Sequence, residues 1–170
     1  MIKLIQNNPY RFLGVYSNSP IKDRVANINK LKAYLKVGKQ LSFPLDMPDL
    51  LEPFSRTIEG MEASAASLNL PKDQIKHALF WFVNITPFDK IALDYLQAGN
   101  AEKCKEISSK KETISSLINL GVLAGVEDEL GTLISNVTKV IHNDDYREEF
   151  LKAVAGDEFQ MSEEDLAVLF

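Results

Sequence analysis

The chain has 170 residues, 19 Lys and Arg against 24 Asp and Glu, a formal net charge of −5, and 45% hydrophobic residues. That inventory suits a soluble protein of one compact domain or two small ones, and no apolar stretch approaches the ~20 residues of a membrane helix. The single cysteine, Cys104, excludes an internal disulfide framework and a Cys-rich zinc site. With no signal-peptide pattern at Met1–Leu4, a cytoplasmic protein is the expectation.

Charge is spread unevenly. Residues 1–40 hold eight Lys or Arg and one acid, a block of +7, whereas residues 111–170 hold thirteen acids and four bases, a block of −9. Such a dipole can steer an acidic partner to the N-terminal part, or the two halves can attract each other. Nucleic acid is disfavoured, because the chain as a whole is acidic and no aromatic residues interleave with the lysines.

In chain order, almost every segment reads as helix. Ile21, Val25, Ile28, Leu31 and Leu35 recur at steps of three and four, which predicts an amphipathic helix over 21–37. Lys32, Lys36 and Lys39 would form a second, basic stripe if that helix ran far enough, with Gly38 near its end. Pro44, Pro48 and Pro53 make residues 42–54 a loop. Ser55 is the expected cap of a helix burying Ile58, Met61, Ala65 and Leu68. Pro71 opens the next, in which the apolar run to Val83 predicts a central buried helix over Gln74–Val83.

Thr86-Pro87-Phe88-Asp89 has the spacing of a capping box and opens a helix that stops at Gly99. Asn100 caps the next, with Ala101, Cys104 and Ile107 facing inward. Further helices are expected over roughly 112–124, 127–142 and 145–155. The last is capped by Asp145 with Glu148 and closed by Gly156, and Ser162 with Asp165 opens a final one. The apolar ending at Phe170 suggests a chain that continues further. No alternating strand pattern competes, so the expected fold is all-α.

Catalytic chemistry is sparse. His77 and His142 have no second ligand at metal-binding spacing, and Cys104 reads as a small buried thiol. The acid pairs at Glu127–Glu129, Asp144-Asp145, Glu148-Glu149 and Glu163–Asp165 fall mostly in predicted first turns, where negative charge is stabilising. Phe80, Trp81 and Phe82 read as core. No metal, cofactor or active site is expected.

The segment Asn8-Pro9-Tyr10-Arg11-Phe12-Leu13-Gly14-Val15 resembles the opening of J domains, the DnaJ-type co-chaperone module, with its Tyr-x-x-Leu-Gly-Val element (Tyr10, Leu13, Gly14). The resemblance covers roughly residues 7–83. It implies a short first helix, a second helix from Ile21 to Leu35 opened by Ser17 or Ser19 with Pro20, and a third, antiparallel one over Ile58–Leu68. J domains carry His-Pro-Asp in the loop after the second helix, and here the loop reads Phe43-Pro44-Leu45-Asp46. The chain is similar to divergent bacterial sequences with Asn-Pro-Tyr-Arg in front, Gly-Lys and Phe-Pro-x-Asp in the loop, and Ala78-Leu79-Phe80-Trp81-Phe82 downstream. Phe88–Gln97, Gly99-Asn100 and Ala101–Ile107 have the outline of a tetratricopeptide-like helix pair.

The expected organisation is therefore a J-like helical domain over 1–84, packed against a tetratricopeptide-like array over 85–170. The expected function is a non-enzymatic protein-interaction module, a degenerate co-chaperone or adaptor whose basic face is Lys32, Lys36 and Lys39. Its expected partner is a DnaK-type chaperone or a peptide held by the array. The alternative is an active co-chaperone that stimulates a DnaK-type ATPase through Pro44 and Asp46.

Overall fold

The structure, a computed structural model describing residues 1–170, is all-α. Its helices are α1 (Ile2–Gln6), α2 (Pro9–Phe12), α3 (Ile21–Lys36), α4 (Ile58–Ala66), α5 (Pro71–Ala78) and α6 (Pro87–Gln97). They continue as α7 (Ala101–Ser108), α8 (Ile114–Val126), α9 (Leu130–His142), α10 (Asp144–Ala155) and α11 (Glu163–Leu169), and a single 3-10 turn stands at Pro44–Asp46. No helix is long and apolar enough to cross a membrane.

Most helix ends follow from their local chemistry. Thr86 Oγ1 accepts from Asp89 N–H, and the Asp89 carboxylate accepts in return from Thr86 N–H, so both orphan donors are satisfied. Asn100 and Ser162 cap α7 and α11 from one side only, accepting from Lys103 N–H and Asp165 N–H. Three expected caps shift. Thr57, not Ser55, accepts from Gly60 N–H, and Asn143, not Asp145, caps α10 through Tyr146 N–H. Neither Ser17 nor Ser19 caps α3: Ser17 donates to the Phe82 carbonyl, and Ser19 accepts from Tyr16 N–H.

The helix expected over Gln74–Val83 ends at Ala78. Leu79, Phe80 and Trp81 turn, and the chain then runs non-helical through Ile85 with Phe82 and Val83 fully buried. Burying such backbone requires partners for its polar groups, and asparagine side chains supply them. The Asn119 amide donates to Val83 O and accepts from Val83 N–H, both at 2.9 Å. Asn18 does the same for Asn84. Asn8 donates to the carbonyls of His77 and Phe80 where α5 ends.

This segment is where the two halves meet. The α8 helix, buried on nearly all sides, packs chiefly on α9 and also touches α1, α7 and α10. Phe170 stacks on Phe80 at 5.6 Å, so the last residue lies against the end of α5. One hydrophobic cluster of 34 buried residues runs from Ile5 to Leu166, across the expected 84/85 boundary.

Candidate protein-docking face

Helix α3 lies at the periphery. Leu31 is its only fully buried residue, with Ile28 and Leu35 half-buried, and its tertiary packing is mainly on α4. Asn27 ties it inward by donating to the Leu13 carbonyl at 2.8 Å. The five-residue apolar stripe expected from sequence is therefore only partly covered: Ile21 is 68% and Val25 48% exposed. Helix α4 is nine residues long against sixteen in α3, so the N-terminal part of α3 outreaches its support.

The outward side of α3 presents Lys22, Val25, Asn29, Lys32 and Lys36 at steps of three and four, all exposed. Lys36 stands in the last turn, where the helix dipole favours a cation. Lys39 lies beyond the helix, not on it. Gly38, at φ +72, reverses the chain, with its N–H on the Leu35 carbonyl and that of Lys39 on Tyr34. No ion pair involves Lys22, Lys30, Lys32, Lys36 or Lys39, and none joins residues 1–40 to residues 111–170.

The loop after α3 is organised from below. Arg56, 3% exposed, forms a two-pronged pair with Asp46 at 2.6 and 2.8 Å. The same guanidinium donates to the carbonyls of Phe12, Leu41 and Arg11. Arg11, equally buried, donates to Gln6, Asp46 and Glu52 carbonyls, and burial pushes it below its ordinary pKa against the pull of Asp46. Both guanidiniums sit 4.5 Å from the Phe54 ring centre, a cation–π arrangement. Pro44 and Asp46 thus form a short turn whose carboxylate is held by Arg56 and by Phe43 N–H.

The motif residues have structural surroundings. Tyr10 and Leu13 are buried, and Tyr10 donates to the Gln74 carbonyl. Gly14, at φ +68, ends α2, and a Cβ there would lie 2.2 Å from Phe43 Cγ. The Trp81 indole N–H donates to the Val15 carbonyl. Sequence reasoning missed Arg56 altogether, since nothing local distinguishes it from a surface arginine.

The remaining reactive groups are scattered. Burial pushes the Cys104 thiol up to about 11, well away from a thiolate at neutral pH. Half-buried His77 is pushed below its ordinary value by burial and by Lys76, while exposed His142 pairs with Glu163 on α11. A cavity of about 450 Å³ lies between the starts of α6 and α8, and neither histidine lines it. No cluster of three or more His, Cys, Asp or Glu is placed to hold a metal. Comparison with protein-family models, with curated proteins and with solved structures finds no match to this chain.

Proposed function

We propose that this chain is a non-enzymatic protein-interaction module, an adaptor built on a J-like frame, which docks an acidic protein partner on the basic face of α3. The observation that carries this reading is the absence of any ion-pair partner for the five α3-side lysines. Elsewhere Lys90, Lys103, Lys105, Lys110, Lys139 and Lys152 are paired within the chain, while Lys3, Lys72, Lys76 and Lys111 are not. What distinguishes the α3 side is that its unpaired lysines cluster on and just after one helix. Exposed Val25 among those lysines adds an apolar anchor to the charge, and such a face speeds encounter with an acidic surface. The alternative, ATPase stimulation through Pro44 and Asp46, gains nothing from a loop whose carboxylate is already bound by Arg56.

The test compares the wild type with the Lys32→Glu/Lys36→Glu/Lys39→Glu variant as bait in parallel captures at low and raised salt. Acidic proteins retained by the wild type and released by the variant or by salt are the expected result. Identical profiles would remove the α3 face as a docking site. Single-turnover hydrolysis by a DnaK-type ATPase separates an adaptor, with no stimulation, from an active co-chaperone.

A further inference from the structure

Helix α6 carries a second apolar stripe besides the one it buries. Ala92, Leu93 and Leu96 are buried inward, as its amphipathic role requires, but the outward face carries Phe88, Ile91 and Tyr95 at steps of three and four. These three are 61%, 49% and 40% exposed, and exposed Pro87 and Ala98 extend the same face. An exposed apolar stripe of this kind, bordered by charge, marks a surface that a partner covers. We propose that a second copy of this chain covers it, with the two α6 helices antiparallel about a two-fold axis.

Charge placement selects this occupant. The exposed charges of α6 are Lys90 and Asp94, one turn apart on the same flank of the apolar stripe and paired at 2.7 Å. A two-fold axis lying in the interface, perpendicular to the helix, keeps each flank on its own side and reverses the chain direction. Lys90 then faces Asp94 of the second copy, and Asp94 faces its Lys90. The same operation sets Phe88 against Tyr95 of the second copy and brings Ile91 close to the axis. One patch therefore satisfies itself in both its apolar and its charged parts, as an isologous interface must. An acidic partner would leave Asp94 opposed by like charge, and a basic one would do the same to Lys90. The pairing leaves the α3 lysines uninvolved, so it stands independently of the proposed docking function.

Sedimentation equilibrium of the full chain across the micromolar range tests the proposal. The expected mass rises from 19.1 kDa towards twice that value with concentration. Ile91→Asp places a carboxylate at the axis and should hold the chain at 19.1 kDa with an unchanged helical circular dichroism spectrum. Lys90→Glu and Asp94→Lys should each weaken association at least about tenfold when alone, through like charges across the axis. An equimolar mixture of the two restores both cross-pairs and should return to the dimer mass. A pair acting only within one helix would not recover on mixing. A wild type that stays monomeric, a dimer that survives Ile91→Asp, or a mixture no heavier than its components would each overturn the proposal.

Discussion

Arg56 and Arg11 place two positive charges beneath the loop, and the Asp46 carboxylate is the one that pairs directly with Arg56. A buried pair adds little net stability, but removing one partner strands the other. Asp46→Asn should therefore lower unfolding stability by about 3 kcal/mol in urea titration. Gly14→Ala meets both a positive φ and the Phe43 ring, so a loss of at least about 2 kcal/mol is expected by the same measurement. His77 gives the fold a pH signature. Because burial favours its neutral form, the unfolded chain takes up the proton more readily. Its contribution is whole above the ordinary histidine range and falls as pH drops through that range. His77→Gln should flatten the stability–pH curve there, and an unchanged curve would rule the residue out as its source.

At the scale of elements, the buried extended stretch Phe82–Ile85 depends on two asparagines with different settings. Asn119 is 1% exposed and serves both polar groups of buried Val83. Asn18 is half-buried and serves Asn84 nearer the surface. Asn119→Ala should cost about 3 kcal/mol, since two backbone groups lose their partner out of reach of water. Asn18→Ala should cost about 1 kcal/mol, because water replaces the amide there. Equal losses in chemical denaturation would contradict this reading of the clamp. The stretch also marks where sequence reading stopped being sufficient. Helix α6 was legible from Thr86 to Gly99 because a capping box and a stop signal are local. Nothing local separates a buried helix from a buried extended run in Ala78–Val83, since both are continuously apolar. What decides is Asn119, thirty-six residues away. The docking face divides similarly. The lysines were visible as a charge block, but their lack of partners depends on where the acids of the second half end up. The Arg56–Asp46 pair likewise needs the loop closed before either residue acquires a partner.

For the whole molecule, the question is whether the basic front and the acidic rear are separate folding units. No ion pair links residues 1–40 with residues 111–170, so electrostatics does not join them. Apolar contact does. Ile5 of α1 lies against Gly125 of α8, Phe80 stacks on Phe170, and Val83 is held by Asn119. Each of these contacts crosses the 84/85 boundary, and each fixes a residue that would otherwise expose apolar surface or bare backbone. The chain should therefore unfold in one cooperative step. Trp81, the only tryptophan and fully buried at this junction, is the natural probe. Its fluorescence transition should coincide with the helical signal from circular dichroism in urea, whereas two independent units would give separated midpoints. Severing the chain after Asn84 should sharpen the contrast. A piece spanning 1–84 would keep Phe80, Phe82 and Val83 without their cover, and should show helical signal without fixed tertiary packing. Adding the 85–170 piece should restore a blue-shifted Trp81 emission, because the contacts missing from each piece are those the other supplies. Independent, native-like folding of the 1–84 piece would mean that the shared core is an interface between two domains, not the centre of one.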